Sequence, residues 1–218
     1  MLGNSWFKKE KPLPGLIGLG GGATSLQHGG VVLDPAYATL SDADADTKDN
    51  FVPVLSNNNL TAAATGGADW HHGRATLGFT TGKWYWEVTP SGNAMIGVEP
   101  TSENIDRTFF NESSSGLASR DGKIWFESNT VVTGQTDWSD GDTIGVAFNA
   151  NDGYIYFYIN GSLSYSYDST MSNSVFKKPA YSVYGGWTLT FNFGAAGFDE
   201  TPPTGYQAVA TQNGASES

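Results

Sequence analysis

Four groups of residues in this chain have types and spacings that invite a chemical reading. Asp42-Ala43-Asp44-Ala45-Asp46 places carboxylates at alternate positions, as a calcium loop does. The frame goes no further. Counting from Asp42, the sixth position is Thr47 where such a loop turns on Gly, and the twelfth is Pro53 where it closes on Glu. The run reads as a solvated acidic loop, with weak calcium binding as the alternative. His71 and His72 are adjacent, and neighbouring side chains on a strand leave opposite faces, so they do not converge on one metal ion. Glu87 and Glu127 are the pair to test for glycoside hydrolysis, which needs two carboxylates facing one cleft about 5–10 Å apart. They qualify only if their strands are neighbours on a concave face. Gly18-Leu19-Gly20-Gly21-Gly22 has the glycine density of a phosphate cradle. Pro12 and Pro14 precede it, however, and Gln27-His28-Gly29-Gly30 follow it, in place of a buried strand and a helix. The expectation is no catalytic residue, no metal site and no cofactor.

The elements that must position any site are strands. Lys83-Trp84-Tyr85-Trp86-Glu87-Val88 alternates with a period of two, with Trp84, Trp86 and Val88 on one face and Lys83, Glu87 and Thr89 on the other. Ile144-Gly145-Val146-Ala147-Phe148 and Tyr154-Ile155-Tyr156-Phe157-Tyr158-Ile159 repeat the pattern. Trp187, Leu189, Phe191 and Phe193 likewise oppose Thr188, Thr190 and Asn192. Asp121-Gly122 and Asn160-Gly161 fit two-residue hairpin turns, and Asn151-Asp152-Gly153 a longer one. Two apolar faces of this kind pressed together make a sandwich.

Composition narrows the function. Eleven basic against 22 acidic residues give a net charge of −11, which speaks against nucleic acid as a partner. The absence of cysteine removes disulfides, thiolate catalysis and cysteine metal sites together. No apolar run approaches the roughly 20 residues of a membrane span, and no cleaved secretory signal is expected. The N-terminus has a different character. Residues 1–30 hold the cluster Trp6-Phe7-Lys8-Lys9-Glu10-Lys11, two prolines and the glycine tract. Such a segment is too sparse in apolar residues to build a core. It reads as an arm that docks on a partner through Trp6, Phe7, Lys8, Lys9, Leu16, Ile17 and Leu19, or as a frayed terminus. Residues 31–209 are expected to form the sandwich and 210–218 a frayed polar tail. Thr101 to Ser115 is the longest unpatterned stretch, and its Arg107, Phe109 and Phe110, with Trp138 in a later loop, are candidate partner-binding residues.

Five blocks in order carry a resemblance. They are Gly82-Lys83-Trp84-Tyr85-Trp86-Glu87-Val88, Ile96-Gly97-Val98, Gly141-Asp142-Thr143-Ile144-Gly145-Val146-Ala147-Phe148, the strand ending in Asn160-Gly161, and Phe191-Asn192-Phe193-Gly194. Over roughly Phe51 to Val209 the chain resembles the SPRY domain family. That resemblance implies an all-β, concanavalin-like sandwich of two antiparallel sheets, here with an extended N-terminal arm. It also implies binding through loops at one end and no catalytic residues. The arm is similar to N-termini of bacteriophage structural proteins. The leading expectation is therefore a non-enzymatic virion protein, a tail fibre or capsid decoration. Its partners would be other virion proteins and a host-surface glycan or protein, and it would be a homo-oligomer, preferably a trimer. The alternatives are an intracellular peptide-binding adaptor and a carbohydrate-active enzyme.

Overall fold

The computed structural model describes residues 36–47, 52–65, 67–105, 115–116, 122–126, 129–133, 137–169, 171 and 173–217. The chain divides into two units, Met1–Asp34 and Pro35–Ser218, and all of these residues lie in the second. Among them the regular structure is β apart from one short 3-10 turn, Thr211–Asn213. In chain order the strands are β1 (Leu40–Ala45), β2 (Val54–Ser56), β3 (Thr61–Ala63), β4 (Trp70–Ala75), β5 (Lys83–Pro90), β6 (Ala94–Pro100), β7 (Ser115–Gly116) and β8 (Ile124–Phe126). They continue with β9 (Asn129–Val132), β10 (Ile144–Asn149), β11 (Tyr154–Ile159), β12 (Ser162–Asp168), β13 (Lys177–Tyr184), β14 (Thr188–Asn192) and β15 (Gln207–Ala208).

The strands form two antiparallel sheets, ordered β1-β4-β13-β6-β7-β8-β9 and β12-β11-β10-β5-β14-β3-β2. The short β15 joins β5 in parallel. Alternation decides the packing. Trp84, Trp86 and Val88 of β5, Val146 and Phe148 of β10, Ile155 and Phe157 of β11, and Leu189 and Phe191 of β14 are buried in one core. Ile96, Val98, Tyr181 and Val183 meet them from the other sheet. Tyr181 and Phe191 touch across the gap with ring centroids 5.4 Å apart, and Phe79 stacks on Trp84 at 5.0 Å. Side chains of this size contribute about 1.5–3 kcal/mol each on full burial. The Asn160-Gly161 turn has positive φ at both residues, 48° and 74°, as a two-residue hairpin between β11 and β12 requires.

Two expectations are corrected. The acidic segment around Asp42–Asp46 is not a loop: Leu40–Ala45 is a strand paired with β4. Asp44 takes part in ion pairs with Arg74 at 3.0 Å and Lys178 at 3.2 Å, which neutralise a carboxylate that would otherwise stay in solvent. The C-terminal segment does not fray. Ala215 is buried in the core, and Gly78 and Ser216 exchange backbone hydrogen bonds at 2.8 and 3.0 Å.

Candidate functional site

Glu87, one of the two acids that glycoside hydrolysis would need, lies on β5. It faces away from the core as the alternation requires, yet it is only 1% exposed. The segment after β14 covers it. The backbone N–H groups of Glu200 and Asp199 donate to its two oxygens at 2.8 and 2.9 Å. The Asn192 amide donates at 3.0 Å and the Tyr85 phenol at 3.1 Å. Four donors occupy one carboxylate, leaving it without the free oxygen and open approach that a general base needs. Burial, and after it the charge of Glu87, pushes the Tyr85 phenol well above its ordinary pKa. Phe198 closes the arrangement edge-on against Tyr85, centroids 4.9 Å apart. Glu87 is therefore a pin for the crossing segment. Its proposed partner in hydrolysis, Glu127, lies outside the described residues.

His71 and His72 diverge. In register with β13, His71 sits opposite Val183 and His72 opposite Ser182, which face opposite sides of the sheet. His72 is buried, with Nε2 2.9 Å from Glu99 and Nδ1 2.7 Å from the Tyr181 carbonyl. Arg74 donates to the same Glu99 oxygen at 2.6 Å and to the Glu103 carbonyl at 2.8 Å. These contacts hold a sheet face together. Among the described residues no group of three His, Asp or Glu side chains is arranged to hold a metal ion.

The end of the sandwich at which β5 finishes has a different make-up. There the segment leading into β4, the β5–β6 turn and the β13–β14 connection meet. Gly185 N–H donates to the Asp69 carbonyl at 2.9 Å, Tyr184 N–H to Asn93 at 3.1 Å, and Ala64 N–H to Trp187 at 3.1 Å. Trp70 and Tyr184 form an edge-on pair with centroids 5.1 Å apart. Trp187 lies over Gly92, where any Cβ would collide with the indole. All three rings are half-buried. Aromatic surface held on a rigid end, rimmed by Ser91, Asn93 and Asp69, is the make-up of a protein-binding patch. The loop residues expected to bind fare differently. Trp138 is 3% exposed and packs into the core, because its loop folds back on β5 through the 2.9 Å bond from Gly141 N–H to the Pro90 carbonyl. Its indole therefore offers no contact surface. Arg107, Phe109 and Phe110, and the arm residues Trp6, Phe7, Lys8, Lys9, Leu16, Ile17 and Leu19, lie outside the described residues. Trp70, Tyr184 and Trp187 were not singled out as binders from sequence. The available signal was the Gly185-Gly186 pair between two aromatics.

A family model described as SPRY domain matches residues 83–196. The chain belongs to the SPRY domain family. Three solved structures share the fold. The SPRY domain of human HERC1 is 17% identical, covering 70% of this chain and 96% of that one, with a TM-score of 0.57. The PSpry domain of TRIM65 is 15% identical, covering 72% and 90%, with a TM-score of 0.56. Stonustoxin is 20% identical over 72% of this chain but only 27% of its own, with a TM-score of 0.55. At these identities the likeness extends to the fold alone. In the SPRY frame Lys83 opens the matched region, so Trp70 precedes it while Tyr184 and Trp187 fall inside it.

Proposed function

We propose that this SPRY domain is a non-enzymatic binding module that captures a partner protein at the end carrying Trp70, Tyr184 and Trp187. The observation that carries the proposal is the edge-on Trp70–Tyr184 pair, half-buried at the paired ends of β4 and β13, where the adjoining turns are tied to one another by backbone hydrogen bonds. Rigid aromatic anchors lose little entropy on binding and dominate contact energies. The occupied carboxylate of Glu87 supports binding over glycoside hydrolysis. Selection of displayed random peptides on the full chain tests the reading. Enriched peptides should lose about 30-fold or more in affinity to Tyr184→Ala or Trp70→Ala, the loss expected at an interface hot spot. Undiminished binding to both variants refutes the site.

A finer proposal concerns context: a virion component, a tail fibre or capsid decoration, anchored through residues 1–30. Support comes from the composition of the arm. Lys8, Lys9 and Lys11 with Trp6 and Phe7 precede a remainder with eight basic and 21 acidic residues, so arm and body carry opposite charge. Other copies, in a trimer, and a host-surface glycan or protein are the partners this context implies. Deleting residues 2–30 should leave a folded sandwich that no longer enters purified particles. Undiminished incorporation counts against anchoring, and its absence from particles altogether favours the adaptor reading.

A further inference from the structure

The outer face of the second sheet carries a surface separate from the loop end. β11 presents Tyr154, Tyr156 and Tyr158 there, opposite the core-facing Ile155 and Phe157. Tyr154 and Tyr156 lie with centroids 6.2 Å apart, and Tyr206 meets Tyr156 edge-on at 6.3 Å. Tyr154 is 38% exposed, and Leu163, paired with Tyr158 on the edge strand β12, is 56% exposed. The cross-strand row Lys83, Asn149, Tyr154 lies where β5 begins, about 20 Å along the strand from the loop end.

Two features define what would bind. The ammonium of Lys83 sits 5.7 Å from the Tyr206 ring centroid, so the face already holds a cation against an aromatic. Its charges are mainly negative. Asp152 is exposed in the turn before Tyr154, and Asp199 and Glu200 lie in the crossing segment, against the one positive charge of Lys83 over Tyr206. Burial, followed by the Asp152 charge among the neighbours, raises the phenol of Tyr156. The same causes, with Tyr156 and Tyr158 ahead of Asp152, raise that of Tyr206, so both rings stay neutral at physiological pH.

We propose that this tyrosine face binds an arginine-bearing segment of a partner protein. Guanidinium planes would stack on Tyr154 and Tyr156 while their N–H groups donate to Asp152. Arginine fits better than lysine because its flat, weakly hydrated cation stacks and donates at once. The proposal is independent of the loop-end reading.

Calorimetric titration of the full chain with a blocked hexa-arginine peptide at low salt tests it. The double variant Tyr154→Leu/Tyr156→Leu keeps the apolar cover and removes the π faces, so affinity should fall about tenfold, as loss of two exposed cation–π contacts implies. Hexa-lysine should bind the unaltered protein more weakly than hexa-arginine. Lys83→Ala should strengthen hexa-arginine binding by freeing Tyr206, and by more than Lys123→Ala, an equal change of charge off this face. Thermal melting confirms that each variant is folded. Unchanged affinity in the double leucine variant, or equal effects of the two lysine changes, would reduce the interaction to net charge and overturn the proposal.

Discussion

Glu99 and Glu87 are buried carboxylates on the outer faces of the two sheets, and each sheet accommodates its acid by different means. On the first sheet Glu99 is met by formal or potential cations: Arg74 at 2.6 Å and His72 at 2.9 Å, with Asp44 linking Arg74 to Lys178. On the second, Glu87 is held by two backbone N–H groups, an amide and a phenol. The first arrangement ties strand to strand by pairing Glu99 and Asp44 with His72, Arg74 and Lys178. The second ties a crossing segment down and leaves the adjoining tyrosines half-exposed. The Glu99 network serves cohesion between strands, while the Glu87 arrangement leaves half-exposed tyrosines beside it.

The sharpest way to break the comparison is to remove the cation at the centre of the first network. Arg74→Ala leaves Glu99 and Asp44 without their shared partner, and stripping one member from a buried pair costs about 3–5 kcal/mol. Urea unfolding should show that loss at an unchanged m-value. A loss under about 1 kcal/mol would mean that water reaches the network and that burial there is nominal.

On the second sheet the corresponding change is smaller. Glu87→Gln keeps the shape but replaces one acceptor oxygen with a donor facing donors. The expected cost is about 1–3 kcal/mol, the range for hydrogen bonds to a charged group. Because Glu87 holds Asp199 and Glu200, amide exchange at those two positions should quicken more than the global stability loss explains. Equal protection in the variant would show that Phe198 packing, not Glu87, secures the segment.

These two sites also mark the limit of what the residues announce in one dimension. Strands β5, β10, β11 and β14 were legible because each has an apolar face at period two, and the Asn160-Gly161 hairpin because only certain residues accept positive φ. β1 was not, since its aspartates look solvated until Arg74 and Lys178 are seen beside Asp44. Glu87 could be placed on the outer face, but its burial depends on N–H groups 112 and 113 residues away. Trp138 looked like a loop contact because nothing local shows that its loop folds back on Pro90. Local pattern reports the facing of a strand. Whether the outward face meets water is decided by segments distant in sequence.

The smallest expected effect is the pH dependence of the Glu99 network. Burial alone would raise the pKa of Glu99, but His72 and then Arg74 outweigh it, and the carboxyl is held below its ordinary value. Its folded pKa is thus lower than in the unfolded chain, so near and below the unfolded value of about 4.3 the unfolded state binds more protons. The stabilisation is complete above that value and is lost as pH falls through the folded pKa. Glu99→Gln abolishes this titration while leaving the other carboxylates in place. The difference in unfolding free energy between wild type and Glu99→Gln should therefore change in favour of the variant as the pH falls below about 4.3. The change should be less than that caused by Arg74→Ala, because only the proton-linked part of the network is lost. Parallel stability curves for the two proteins down to about pH 3 would show that Glu99 titrates as an ordinary acid and that the cations around it exert no net pull.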